Sequence, residues 1–256
     1  MIAFYNTIVY EPILNLLIYL YNIIPGHDLG VAIILLTIIV KALLMPLSWK
    51  ALKSQKSLQD IQPKMDALRK QYKDKKEVLA KEMMKLYKDN KVNPLSSCLP
   101  TLLQLPFLLA IYSVFRRDVL SSDSIQGIYS FIQVPEHLNT VAFGFLDLLV
   151  PSLILAIIAG IGQYIQAKML MTKSAPGMVK SGAKDENIMA EMNKSMVYFM
   201  PLITIFIGSR LPSSFTLYWL ITTILTIIQQ KVVFSKMKAE LNKNNILDVK
   251  SENKQP

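Results

Sequence analysis

The sequence predicts an all-α integral membrane protein: five transmembrane helices, a cytoplasmic antiparallel helical hairpin and an N-terminal interfacial helix. Three observations predict it. Of the 256 residues, 52% are hydrophobic and only 18% are charged, whereas soluble domains carry about a quarter charged residues. The mean hydropathy is +0.35, and the apolar residues fall into runs about 20 residues long, the length that crosses a bilayer. The net charge of +10 is clustered: 24 of the 28 Lys and Arg lie in residues 50–92, 168–194 and 231–256. Taken alone, that charge suggests nucleic acid; placed between apolar runs, it is the positive-inside pattern of a polytopic membrane protein. Composition thus argues against a soluble enzyme, a secreted disulfide scaffold and a disordered chain.

Residues 1–28 contain an apolar stretch, 2–24, with Glu11, Asn15 and Asn22 on one helical face. That polar stripe predicts an interfacial amphipathic helix; a plain transmembrane helix is the alternative. Pro25-Gly26 ends it. Residues 29–49 form the first span, about 31 Å long as a helix. Residues 50–92 hold 13 basic and six acidic residues, with apolar positions such as Leu58, Ile61, Met65 and Leu68 at helical spacing. Two amphipathic helices joined at Lys73–Lys76 make the hairpin.

Residues 93–117 are the second span, with Pro100 and Pro106 inside it, and 118–142 are an external loop without Lys or Arg. The third span, 143–167, is interrupted by Pro151 and by Gly160 and Gly162; 168–194 is a basic, Met-rich cytoplasmic loop. Residues 195–209 and 210–233 are the fourth and fifth spans, joined by Arg210-Leu211-Pro212. The fourth, at about 21 Å, is shorter than the roughly 30 Å hydrocarbon core and implies local thinning or polar extension. The basic tail, 234–256, is Lys- and Asn-rich and expected to be disordered. Five spans put the N-terminus outside and the C-terminus inside. A sixth crossing by 2–24 would move only the N-terminus, so the hairpin is cytoplasmic either way.

Lys41 is the sharpest single residue. A lysine this deep in a span costs about 2.5–3.5 kcal/mol. Either it snorkels, or it faces a water-filled cavity within the bundle. Gln104, Gln163, Gln166, Thr216, Thr222 and Thr223 could line such a cavity, although amides and hydroxyls in spans also glue helices together. No intramembrane acid accompanies Lys41, which suits transient contact with polar or acidic peptide better than proton coupling. Seven of the 13 methionines lie between Met169 and Met200; they are either ordinary packing or an adaptable surface for varied apolar segments. The basic hairpin and tail follow from topology and attraction to anionic lipid; ribosomal RNA is the sharper alternative. One cysteine, Cys98, excludes an intramolecular disulfide. Neither a lipid anchor on an N-terminal cysteine nor a signal peptide is expected. His27 and His137 are far apart in sequence, so no metal site is expected. No phosphate loop, nucleophile elbow or triad stands out, and no cofactor is expected.

Three motifs then carry a family resemblance. Asn93-Pro94-Leu95-Ser96-Ser97-Cys98-Leu99-Pro100-Thr101-Leu102-Leu103-Gln104-Leu105-Pro106 closely resembles the second span of the YidC/Oxa/Alb membrane insertases. Leu211-Pro212-Ser213-Ser214-Phe215-Thr216-Leu217-Tyr218-Trp219, followed by Gln229-Gln230, resembles their fifth span, and Gln62-Pro63-Lys64-Met65 resembles their hairpin. The resemblance covers roughly residues 5–235 in the same order and looks like the compact bacterial form.

It implies five spans around a hydrophilic groove open to cytoplasm and lipid and closed outside, in a bacterial plasma membrane. Lys41 stands where the family usually has Arg: the charge is kept and the bidentate fork lost. Gln166 matches the groove glutamine of the third span and Trp219 the fifth-span tryptophan. Thr222-Thr223 depart from the Asn that many members carry there. The implied function is insertion and folding of nascent membrane proteins without energy input at the site itself, with the ribosome engaged by the tail and the Sec translocon as a further partner. A small-solute transporter would instead show an inverted repeat, and none is apparent. A non-inserting assembly factor is the other alternative, and reconstitution in liposomes distinguishes it.

Overall fold

The computed structural model describes residues 2–93, 99–116, 127–135, 138–170 and 197–252. It is mainly helical: α1 (Ile2–Tyr5), a π turn (Asn6–Tyr10), α2 (Glu11–Ile23), α3 (Leu29–Leu43), α4 (Met45–Asp60), α5 (Gln62–Gln71), α6 (Lys76–Asp89), α7 (Leu99–Arg116), α8 (Leu153–Leu170), α9 (Val197–Gly208) and α10 (Ser213–Glu252). A two-residue antiparallel pair, β1 (Val141–Ala142) with β2 (Leu146–Asp147), aligns Val141 with Asp147 and Ala142 with Leu146. The chain divides into two compact units, one built on 1–45, 101–168 and 192–225, the other on 46–100, 169–191 and 226–256.

The first unit has its core where α2 meets α3. Residues Tyr10, Leu14, Leu17, Ile18 and Tyr21 of one face are buried with Leu29, Ala32, Ile33, Leu36 and Val40. Spacings of three, four and seven bring one stripe of each helix inward. Ala110, Ile111 and Val114 of α7, Leu217 and Tyr218 of α10, and Ala142 and Leu148 belong to the same cluster. The polar stripe of the N-terminal helix holds the segment 127–133. Asn15 is buried; its Nδ2 donates to the Gly127 carbonyl (2.7 Å) and its Oδ1 accepts from Tyr129 N–H (2.8 Å). Asn22 Nδ2 donates to the Gln133 carbonyl (2.7 Å), and Tyr21 Oη accepts from Asn139 N–H (2.8 Å). The exposed residues of this helix include Phe4, Ile8, Tyr19 and Ile23, all apolar or aromatic.

Asn15 therefore carries the attachment of a segment more than a hundred residues away. Asn15→Leu removes two part-buried hydrogen bonds, to the Gly127 carbonyl and from Tyr129 N–H, at about 0.5–1.5 kcal/mol each. The expected result is faster amide exchange and proteolysis at residues 127–135 with the helices intact. Unchanged protection there would refute the assignment.

The second unit contains the hairpin. Ile61, Met65 and Val92 are buried with Leu58, Met83, Leu86 and Tyr87, which pairs the beginning of α5 with the end of α6. The first arm breaks at Ile61, and the turn between the arms is Tyr72–Lys75, where Lys75 N–H bonds to the Tyr72 carbonyl (2.9 Å). Beside it, Gln229 Nε2 donates to Ser48 Oγ (2.7 Å), and the Lys236 ammonium lies 5.1 Å from the centre of the Trp49 ring.

The structure corrects several boundaries. The 29–49 span is not one helix: α3 ends at Leu43 and α4 starts at Met45. Pro46 has no N–H to give to Ala42 and crowds that carbonyl, yet suits the first turn of a new helix. The third span starts at Leu153, not 143, because 141–147 form the β pair and Ser152 Oγ caps the helix by accepting from Leu155 N–H (3.3 Å). The tail expected to be disordered continues α10 to Glu252; Lys236–Leu241 are good helix formers, whereas Asn242, Asn244 and Asn245 beyond them are weaker ones. Among the described residues, α8 and Ser213–Ala239 of α10 are long and apolar enough to cross a membrane, with the broken pair α3–α4 a third if counted as one span. Gln104–Val114 and Val197–Gly208 are shorter apolar helices. The second-span residues 94–98, the loop 171–196 with most of the clustered methionines, and His137 lie outside the described residues.

Candidate functional site

Most of the polar residues singled out within the spans belong to α7, α8 and α10 of the first unit. Helix α10 presents Phe215, Thr216, Tyr218, Trp219, Thr222 and Thr223 over little more than two turns. Its start is fixed by Ser213, whose N–H (3.2 Å) and Oγ (2.5 Å) both donate to the Val150 carbonyl, and by Ser214 N–H on the Leu148 carbonyl (3.0 Å). The Pro-Ser-Ser segment is thus an anchor, and it sets the rotation of the helix that carries the site.

Tyr218 is fully buried, and its hydroxyl is shared between Gln104 of α7 and Thr222 one turn along its own helix. One turn is also the separation of Gln163 and Gln166 on α8, so both amides lie on one side of that helix. Gln163 Oε1 accepts from Trp219 Nε1 at 3.5 Å. Trp219 packs edge-on against Phe215 (5.7 Å between ring centres), and Phe215 edge-on against Tyr112 (6.0 Å). Gln104, Gln163, Gln166, Trp219 and Thr222 are all half-buried. The result is a polar and aromatic cluster, its amide and indole groups bonded to one another, in otherwise apolar helices.

Thr216 and Thr223 differ from these. Thr216 is buried and its hydroxyl donates to the Gly208 carbonyl (3.3 Å); Thr223 is buried and donates to the Trp219 carbonyl (2.9 Å). Both hydroxyls serve helix packing in this structure. Lys41 lies in the last turn of α3, half-buried, one residue after the buried Val40. A cation there interacts favourably with the C-terminal carbonyls of its helix.

Sequence reasoning missed Tyr218, a fully buried side chain at the centre of the group. Tyr218 lies within the quoted motif without a role of its own, and only the fold brings Gln104 to its hydroxyl. Tyr218→Phe removes a partner from the Gln104 amide at a cost of about 1 kcal/mol. The expected outcome is a small fall in thermal stability in detergent, and Gln104→Leu in the Tyr218→Phe background should cost less than Gln104→Leu alone. Strict additivity would show that the pair does not interact.

A family model described as "60Kd inner membrane protein" matches residues 19–240. The chain is similar to "Membrane protein insertase YidC" of Clostridium tetani, 34% identical over 222 residues, which are 86% of this chain and 87% of that one. It is similar to the protein of that name in Fusobacterium nucleatum, 30% identical over 230 residues, 89% of this chain and 98% of the relative. The Pelobacter propionicus protein of the same name is 35% identical over 228 residues, 89% of this chain but 38% of the longer relative.

Proposed function

The chain belongs to the 60Kd inner membrane protein family, whose relatives include the YidC insertases, and we propose that it inserts nascent membrane proteins into the bacterial plasma membrane and helps them fold. The observation that carries this reading is the half-buried amide and indole surface of Gln163, Trp219 and Gln104 on membrane-type helices.

The physical problem is the dry path. A polar segment crossing hydrocarbon loses hydration of its backbone and charges. A groove lined by Lys41, Gln104, Gln163, Gln166, Trp219 and Thr222, open to cytoplasm and lipid, shortens that path. Lys41 attracts the acidic or polar part of the substrate destined for the outside. Amides of α7 and α8 replace water on its backbone groups in passing. The short helix α9 thins the bilayer beside the groove. The substrate's apolar helix then leaves sideways into lipid, and burial of its surface makes release downhill. Nucleotide hydrolysis at this site is not required. Five crossings with a cytoplasmic hairpin and C-terminus, and an N-terminal helix along the outer interface, complete the arrangement. The hairpin receives substrates, the basic tail engages the ribosome, and the Sec translocon is a further partner.

The test is site-specific photo-crosslinking from Lys41, Gln166 and Trp219 to a ribosome-stalled single-span nascent chain. Adducts from all three positions are expected. Adducts confined to residues 50–92 would leave a docking or assembly factor and remove the groove mechanism.

A further inference from the structure

We propose that the β1–β2 hairpin is a membrane-interface anchor, its Phe143 and Phe145 rings seated in the headgroup–acyl boundary of the leaflet at the Leu153 end of α8. Phe145 is 81% exposed, its ring 6.2 Å from that of Phe143, which is itself exposed. From this tip exposed apolar residues continue through Leu149 and Val150 to Leu153 and Ile154, with Asp147, also exposed, between Phe145 and Leu149 in sequence and its Oδ1 accepting from Leu149 N–H (2.9 Å). Beyond them lies the outward side of α8, where Ile157, Ile158, Ile161 and Ile165 are exposed. A membrane-spanning helix with that surface meets lipid, and the hairpin is the end of the same surface.

Length fixes the depth. Helix α8 has 18 residues, about 27 Å of rise against a hydrocarbon core of about 30 Å. The helix therefore fills the core, and what immediately precedes it lies at the interface, where aromatic residues on an amphipathic element bury into the boundary zone. Residues 118–142 contain no Lys or Arg, so aromatic insertion rather than attraction to anionic headgroups would hold this end.

The tip is also rigid. Ala142 and Leu148 are fully buried beneath it. Phe143 takes a left-handed backbone conformation, φ 56°, which a bulky residue rarely adopts. Asp28 holds it there: Oδ2 accepts from Phe143 N–H (2.6 Å), while Oδ1 accepts from Gly30 N–H (2.7 Å) and Val31 N–H (3.1 Å) at the start of α3. One carboxylate thus caps α3 and presents the aromatic tip. A rigid, outward aromatic pair contiguous with a lipid-facing helix fits a bilayer interface better than a mobile protein partner.

The test places an environment-sensitive fluorophore on single cysteines at residues 145, 139 and 161 of the full-length chain carrying Cys98→Ser. The labelled protein is reconstituted in phosphatidylethanolamine–phosphatidylglycerol vesicles, with brominated acyl chains as shallow or deep quenchers and iodide as the aqueous quencher. At Phe145→Cys the expected result is blue-shifted emission, stronger quenching by shallow than by deep bromines, and loss of iodide quenching relative to Asn139→Cys. Red-shifted emission quenched by iodide and untouched by brominated lipid would overturn the anchor. The Ile161→Cys probe separates the two possible failures, because deep-bromine quenching there reports that α8 itself is in the bilayer. A tip dark to both quenchers would indicate cover by protein and would equally overturn the proposal.

Discussion

Lys41→Ala is expected to slow insertion of a substrate with an acidic external segment about tenfold, while Lys41→Arg retains most of the rate and Lys41→Glu falls below Ala. Tenfold corresponds to about 1.4 kcal/mol. A pair of unit charges near 4 Å at an effective dielectric of 20 is worth about 4 kcal/mol, and part of that is lost to screening because Lys41 is only half-buried. The structural cost of the substitution is smaller. A cation in the last turn of a helix contributes about 0.3–1 kcal/mol, and Lys41 occupies that turn of α3. Loss of this contribution leaves the protein folded, so function and stability separate. The measurement is protease protection of a radiolabelled single-span substrate in proteoliposomes, with thermal stability of each variant measured in detergent. A substrate whose external segment carries no acid should show a much smaller effect. Equal rates for Ala, Arg and Glu variants would remove the charge-attraction step and leave Lys41 as a helix-end cation that snorkels.

What the sequence made legible, and what it hid, follows from the range of the interactions. Helices and their apolar stripes are local patterns. Leu14, Leu17, Ile18 and Tyr21 of α2, and Ile61 and Met65 of the hairpin, are buried at the positions that helical spacing selects. Helix boundaries depend on prolines whose effect is also local, and the information was present: Pro46 breaks the first span, and Pro151-Ser152 delays the third until Leu153. It was outweighed by the length of the surrounding apolar runs. Pairings between distant segments had no sequence signal. The stripe of Glu11, Asn15 and Asn22 was visible, but the bonds of Asn15 to Gly127 and Tyr129 and of Asn22 to Gln133 span more than a hundred residues. Polar residues that face a docked loop look, in sequence, like those that face headgroups. Among the groove candidates, Gln163 and Trp219 meet. Thr216 has the same composition signal as Thr222, and only the approach of Gly208 turns its hydroxyl to packing. The β pair escaped because two-residue strands are too short to show alternation.

Gly160→Val should be strongly destabilising, and a comparison of two glycines two residues apart, on different sides of one helix, shows why. Both lie in α8, where alanine has a helix propensity advantage of about 0.8–1 kcal/mol over glycine. At Gly162 a Cβ would meet Thr223 Cγ2 at 3.4 Å and Leu220 Cδ1 at 3.8 Å, ordinary van der Waals contact. Gly162→Ala should therefore be neutral or mildly stabilising. At Gly160 the added atom would overlap Ile205 Cγ1, lie 2.8 Å from Ile205 Cδ1 and sit 3.2 Å from the Pro201 carbonyl oxygen. Ile205 is β-branched and has little rotamer freedom to retreat within a helix, and the carbonyl belongs to the backbone of α9. Overpacking of this kind costs about 1–3 kcal/mol, enough to cancel or exceed the propensity gain for Ala and to exceed it clearly for Val. The close approach of α8 and α9 is the small-residue packing that membrane helices use when no hydrophobic force drives them together, so displaced helices have little else to restore the contact. The measurement is the midpoint of thermal unfolding in detergent, expected to rank Gly162→Ala at or above the parent, then Gly160→Ala, then Gly160→Val lowest. Adding Ile205→Ala should recover part of the loss at Gly160→Val while lowering the parent, a sign reversal that only a direct clash produces. If Ile205→Ala instead adds its full cost to Gly160→Val, the two side chains do not compete, and the packing of α8 on α9 must be redrawn.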